Sequence, residues 1–144
     1  MTEASADQDL IPIGTRVTFA KTIGESDIYL FAGITGDFSP NHVNAEYMKM
    51  TPYGGIIAHG VLVVGLMSTC STKVLDYALS PRPAVSYGYD RIRFIKPVHV
   101  GDTVTVTYEI ISADPHEART TAQVTATNQR GDVVAVATHI LKFL

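Results

Sequence analysis

Hydrophobic and polar positions follow a helical period along most of the first half of the chain and a two-residue period along most of the second. The segment TRVTFAKTI at 15–23 sets Val17 and Phe19 against Arg16 and Thr18, which predicts a first strand. Ser26 is placed to cap a short helix whose apolar positions Ile28, Phe31 and Ala32 follow helical spacing, and Gly36 is placed to end it. The next stretch, GDFSPNHVNAEY at 36–47, begins too broken for a helix and too polar for a core strand. Within it Asn44 is a candidate cap for a second short helix, AEYMKM, which Pro52 and Gly54-Gly55 terminate. The longest helical pattern runs from Gly60 to about Leu79, apolar nearly all round at its start, and Pro81 and Pro83 stop it.

Beyond residue 83 the period shortens. AVSYGYDRIRFIKPV reads as a strand whose alternation slips around Arg91–Arg93, which predicts a bulge there. Gly101-Asp102 marks a turn. In TVTVTYEI, Val104, Val106, Tyr108 and Ile110 share one face, and in EARTTAQVTAT the inward set is Ala118, Thr120, Ala122, Val124 and Ala126. NQRGD turns the chain again. The last run, VVAVATHILKFL, is apolar on both faces, so it is either central in the sheet or covered by a partner. These elements make an α+β layout in which one apolar helix must cover a long antiparallel sheet, so the sheet is expected to curl around it.

Composition narrows the function. A chain of 144 residues, 46% apolar and 17% charged, matches one globular domain, and 11 basic against 14 acidic residues give no nucleic-acid footprint. From Gly54 to Thr72 there is no charged side chain, yet His59, Ser68, Thr69, Ser71 and Thr72 oppose a membrane span, and a helix buried in the domain is expected. The single cysteine, Cys70, excludes an intrachain disulfide, fits a reducing, cytoplasmic compartment and reads as a buried small hydrophobe. Residues 1–13 carry acids and no apolar signal core, and are expected to be a mobile lead-in to one domain over 14–144.

Most catalytic signatures are missing: there is no Cys-x-x-Cys, no phosphate-cradling glycine loop and no Gly-x-Ser-x-Gly elbow. The five histidines, at 42, 59, 99, 116 and 139, have no ligand-like spacing, so neither a metal nor a cofactor is expected; 99, 116 and 139 read as turn or strand residues. Asp37 and His42 are five positions apart with Pro40 between them. Asp37 suits a turn cap and His42 a surface site, but Pro40 fixes its own φ and restricts Ser39, and a stiff bend holding an acid and a base suits proton transfer. Gly60 opens the long helix, so its N–H lacks an intrahelical partner and points where the helix dipole is positive. An oxygen gaining negative charge is stabilised at such a place, although an ordinary glycine-punctuated helix start reads the same way. His59 beside it suits a cap or a packing residue.

Taken together, Phe31, GDFSPNH at 36–42, AHG at 58–60 and RFIKPVHVGD at 93–102 resemble the MaoC-like, (R)-specific enoyl-CoA hydratase family, and the likeness spans roughly Gly14 to the C-terminus. The resemblance implies a hot-dog fold, a long helix wrapped by a curved antiparallel sheet, and a homodimer or higher oligomer with sites near the subunit interface. It implies Asp37 and His42 as the acid–base pair for syn addition of water to a trans-2-enoyl thioester, the Gly60 N–H as oxyanion donor, and Ser68 near the substrate. Ser39 and Asn41 stand where the family usually has asparagine and an aliphatic residue, which bears on the order of the loop and the shape of the pocket. The expected partner is an acyl-CoA or acyl-carrier thioester, with Arg91, Arg93 and Lys96 as candidate phosphate contacts or simply solvated cations. A hot-dog thioesterase would share the fold and helix start without needing the histidine; a non-catalytic acyl-binding or partner subunit would be expected to have lost Asp37 or His42.

Overall fold

In the computed structural model, which describes residues 10–144, the two periods become two layers. Strand β1 (Arg16–Thr22) is followed by three helices, α1 (Glu25–Thr35), α2 (Pro40–Val43) and α3 (Ala45–Lys49), and then by the long helix α4 (Gly60–Tyr77). Four strands complete the chain: β2 (Ala84–Phe94), β3 (Thr103–Asp114), β4 (Arg119–Thr127) and β5 (Val133–Phe143). They form one antiparallel sheet in the order β1-β3-β4-β5-β2.

The alternation read in β3 and β4 sets the inner face. Val104, Val106, Tyr108 and Ile110 are buried, as are Thr120, Ala122, Val124 and Ala126 on the neighbouring strand. Ala118 lies outside β4, half-buried with φ 50° in the turn before it, because Phe143 N–H takes its carbonyl and the strand begins at Arg119. Strand β5 resolves its two apolar faces by lying inside the sheet between β4 and β2: Ala135, Ala137, His139, Leu141 and Phe143 are buried, while Val136, Thr138, Ile140 and Lys142 are half-covered on the other side.

Helix α4 rests against all five strands. Strands spaced ~4.8 Å apart spread over ~19 Å, about twice the width of a helix, so only a curved sheet brings all five within reach. This is the expected hot-dog arrangement. The expectation that α4, apolar nearly all round at its start, is buried in the domain needs correcting. Val63, Leu66, Met67, Cys70, Ser71 and Val74 face the sheet, whereas Val61, Gly65, Ser68 and Thr72 form an exposed stripe, since one sheet covers only one side of a helix.

Other boundaries also shift. Helix α1 is capped at Gly24, not Ser26: the Asp27 carboxylate reaches back to accept the Gly24 N–H at 2.8 Å. That bond, aided by Lys21 at 3.3 Å, holds Asp27 below the usual carboxylate range. The broken-looking stretch after Gly36 contains a helical turn, α2, because Ser39 takes an extended conformation and Pro40 enters the helix with φ already set. Asn44 does cap α3, its Oδ1 accepting from Tyr47 N–H at 3.0 Å. The bulge in β2 is present: the pairing with β5 skips between Asp90 and Arg93, and Arg91 has φ 55°. Of the expected lead-in, residues 1–9 lie outside those described, and Leu10 and Ile11 are buried in the core. Cys70 is fully buried, and burial pushes its thiol up to about 11, which keeps it protonated.

Candidate active site

The loop carrying Asp37 and His42 is built from consecutive local decisions. Gly36 ends α1 with φ 82°, its N–H returning to Ala32 O at 2.8 Å. Asp37 Oδ1 accepts the Ser39 N–H at 3.3 Å, so the carboxylate also does the turn-forming work that its sequence context suggested. Pro40 then starts α2, which brings His42 inward until only 9% of it is exposed. Asn41 faces outward, and its carbonyl accepts the Ile57 N–H at 3.0 Å. The loop is thereby tied to residues 57–58, whose other side pairs with the 98–99 segment through Ala58 N–H to Val98 O at 2.7 Å.

His42 Nδ1 lies 2.7 Å from Ile57 O. A carbonyl only accepts, so Nδ1 carries the proton, and in the neutral ring Nε2 is left with a free lone pair. Nε2 has no protein hydrogen bond among the described residues. His42 lines a cavity of about 250 Å³ with Gly60, Tyr53, Val63, Phe94 and Pro97. Gly60 is the first residue of α4 and its N–H makes no bond to another element among the described residues, so an imidazole and a helix-start residue line one cavity.

The structure also brings Asp37 to His42. A carboxylate oxygen of Asp37 and ring nitrogens of His42 and His59 all lie within 4.8 Å of one another. Three such groups invite the thought of a metal ion. The imidazoles of His42 and His59, however, are stacked with centroids 3.6 Å apart and planes 23° from parallel. Near-parallel rings aim their lone pairs side by side, whereas an ion needs them to converge at about 2.1 Å from each nitrogen. The residues do not fit a metal.

Gly60 has a second reason to be glycine. A Cβ there would sit 2.7 Å from the ring of Phe94, which is 53% exposed and lies across the helix start. Phe94 belongs to the RFIKPV run, and the segment after it is fixed by Asp102. Burial pushes the Asp102 carboxyl up, but donation from Gln129, from the His99 N–H and from Arg130 outweighs it and holds the group below its ordinary range.

Ser39 is half-buried at the α2 start, with no hydrogen bond from its hydroxyl to the helix. Ser68 is not brought into the cavity: it lies eight residues along α4, roughly 12 Å from Gly60, on the exposed stripe beside Tyr89. Arg91, Arg93 and Lys96 are exposed, and Lys96 is paired with Asp132 at 3.0 Å. His59, given only as a cap or packing residue, is 2% exposed, stacked on His42 and packed against a tilted Phe31; these neighbours lie far from it in the sequence, so no local pattern reveals them. His139 is fully buried in β5, with Tyr108 Oη at Nδ1 and Ser86 Oγ at Nε2, each at 2.7 Å, and burial pushes it down to about 4.

A helix wrapped by a five-stranded antiparallel sheet is a hot-dog protein, and this one has an acid and two imidazoles close together beside the start of the helix. The comparisons agree with this class. The chain belongs to the MaoC like domain family, whose model matches residues 9–133. It is 41% identical to the (R)-specific enoyl-CoA hydratase of Rhodospirillum rubrum over 79% of this chain and 76% of that one. It is 35% identical to the 3-hydroxybutyryl-CoA dehydratase of Methylorubrum extorquens over 88% and 76%. Among solved structures, the unliganded R-hydratase PhaJ1 from Pseudomonas aeruginosa superposes with a TM-score of 0.81 at 27% identity, over 94% of this chain and 84% of that one.

Proposed function

We propose that this chain is a hydro-lyase that adds water across the double bond of trans-2-enoyl thioesters, enoyl-CoA in the first place, giving (R)-3-hydroxyacyl thioesters, and that it runs the reverse dehydration with the same groups. The observation that carries the reading is that His42, whose Nε2 has no partner among the described residues, lines the same cavity as Gly60, with the Asp37 carboxylate within 4.8 Å of an imidazole nitrogen. The names of the relatives, an (R)-specific enoyl-CoA hydratase and a 3-hydroxybutyryl-CoA dehydratase, describe the two directions of one type of reaction.

In hydration, His42 and Asp37 share two proton transfers. One group removes a proton from water as its oxygen bonds to C3, and the C2–C3 π electrons move toward the thioester carbonyl. The Gly60 N–H, reinforced by the dipole of α4, holds the resulting enolate oxygen. The proton taken from water is then returned to C2 by the pair, so both groups end in the state in which they began. A cavity of about 250 Å³ suits the reacting end of the substrate, and the pantetheine arm leaves past Phe94 and Tyr53. Ser39 orders the loop through its backbone, and Ser68 is reached only by the distal part of a long acyl group lying along α4.

The working form is a homodimer or higher homo-oligomer in the cytoplasm. The open edge of β2, with Val85 and Tyr87 exposed, and Val61 at the start of α4 supply apolar surface that one chain leaves in water. Among the described residues no helix is long and apolar enough to cross a membrane. The test is a panel of enoyl-CoA and enoyl-carrier thioesters, followed by loss of the conjugated absorbance with free thiol assayed in the same wells. Hydration consumes the double bond and releases no thiol. Thiol release at a matching rate identifies a thioesterase, and no change in either identifies a binding subunit.

A further inference from the structure

His59 touches both residues of the candidate acid–base pair, Asp37 and His42. Its Nε2 is 3.0 Å from the backbone oxygen of Asp37, so Nε2 carries the proton and donates to the loop. One face of its ring stacks on His42 at 3.6 Å, and Phe31, tilted by 55°, packs at 4.7 Å. Its backbone is the N-cap of α4, one residue before Gly60. With Nε2 committed to a carbonyl, Nδ1 is left as an acceptor, and it is buried with no hydrogen-bond partner among the described residues. A buried unsatisfied acceptor is unfavourable, and a leucine or phenylalanine would pack against Phe31 without one. The imidazole therefore brings something that an apolar side chain does not.

We propose that His59 is a positioning residue that holds all three reacting groups in one geometry: Asp37 through its Nε2–H, His42 through ring stacking, and the Gly60 N–H through the chain itself. The inference rests on the acid–base reading of Asp37 and His42. Its physical basis is that these groups come from two segments, 37–42 and 57–60, joined near the chemistry by the Ile57 N–H to Asn41 O, by His42 Nδ1–H to Ile57 O and by His59 Nε2–H to Asp37 O, the last being the bond that reaches Asp37. Without that bond Asp37 is anchored only within its own loop, by the contacts to Thr35 and Ser39. Displacement of a reacting group by about 1 Å is enough to cost on the order of 100-fold in rate.

Three substitutions separate the parts. His59→Ala removes donor and ring, His59→Phe keeps a stacking ring without the donor, and His59→Gln keeps an N–H near the Nε2 position without the ring. With crotonyl-CoA as the probe, His59→Ala is expected to lower kcat about 10- to 100-fold with KM within about threefold, and Phe and Gln should each recover part of the loss. Nitrogen-detected NMR of the His42 imidazole gives a readout independent of turnover: the Nδ1–H tautomer should dominate in the wild type, become mixed in His59→Ala and return in His59→Phe. Wild-type kcat in a folded His59→Ala variant overturns the proposal. So does an equal loss in all three variants that simply follows their melting temperatures. If the wild-type protein hydrates no enoyl thioester, the reaction assignment fails by itself, and the His42 tautomer across the series still decides whether His59 positions that ring.

Discussion

Two histidine clusters in this protein are both buried, and they differ in how many ring nitrogens are already in use. His139, inside the sheet, has a hydroxyl at each nitrogen, Tyr108 at Nδ1 and Ser86 at Nε2. A neutral imidazole has one donor and one acceptor, so His139 has nothing left to offer. His42 and His59, at the junction of the loop and α4, each use one nitrogen on a backbone carbonyl and keep the other free. Full satisfaction marks His139 as a polar strut of the core; incomplete satisfaction beside a cavity marks His42 as a group with a lone pair to use. Burial alone would have grouped the three together.

The sharpest way to break that contrast is to remove the free imidazole. His42→Ala and Asp37→Asn should each reduce enoyl-thioester hydration by ~100- to 10,000-fold with little change in melting temperature. The double variant should fall well short of the product of the two losses, since both groups serve one transition state. Steady-state kinetics on folded variants decides this, and near-full activity in either single variant sinks the pair as the catalytic centre.

Next in size is the helix start. Blocking one oxyanion donor typically costs ~3 kcal/mol in the transition state. Gly60→Ala should approach that loss, but its methyl also strikes Phe94. Combining it with Phe94→Ala relieves the collision. If the double variant stays slow while Phe94→Ala alone is active, the methyl obstructs the substrate; recovery would make Gly60 a packing residue.

His139 should answer to pH and not to substrate. Its folded value of about 4 lies below the ordinary 6.5, so the unfolded chain takes up a proton first as pH falls. The stability tied to the neutral ring is present above pH 6.5 and is lost as pH drops toward 4, by about 2 kcal/mol at pH 5 and about 3 kcal/mol at pH 4. Urea midpoints between pH 7 and 5, above the range of Asp27 and Asp102, should show the slope, and His139→Leu should abolish it. The smallest effect is expected from Ser86→Ala, which removes one partner of His139: about 1 kcal/mol of stability by urea unfolding, with kcat unchanged.

Much of this was legible in the chain itself. The alternation of β3 and β4, the bulge at Arg91, the stops at Gly36 and Pro81 and the spacing of Asp37, Pro40 and His42 all depend on neighbours within a few residues, where backbone sterics and side-chain period act directly. The motif run from Phe31 to Asp102 likewise pointed to the family that the comparisons then showed. What the sequence could not hold was decided across distance. That Ile57 O fixes the tautomer of His42, that His59 packs on both Phe31 and His42, that Phe94 covers Gly60 and that Ser68 is exposed outside the cavity all join segments 15 or more residues apart or turn on the side of a helix that the sheet happens to cover. A histidine's chemistry depends on which of its two nitrogens is occupied, and in this protein the occupants arrive only when loop, helix and sheet close on one another.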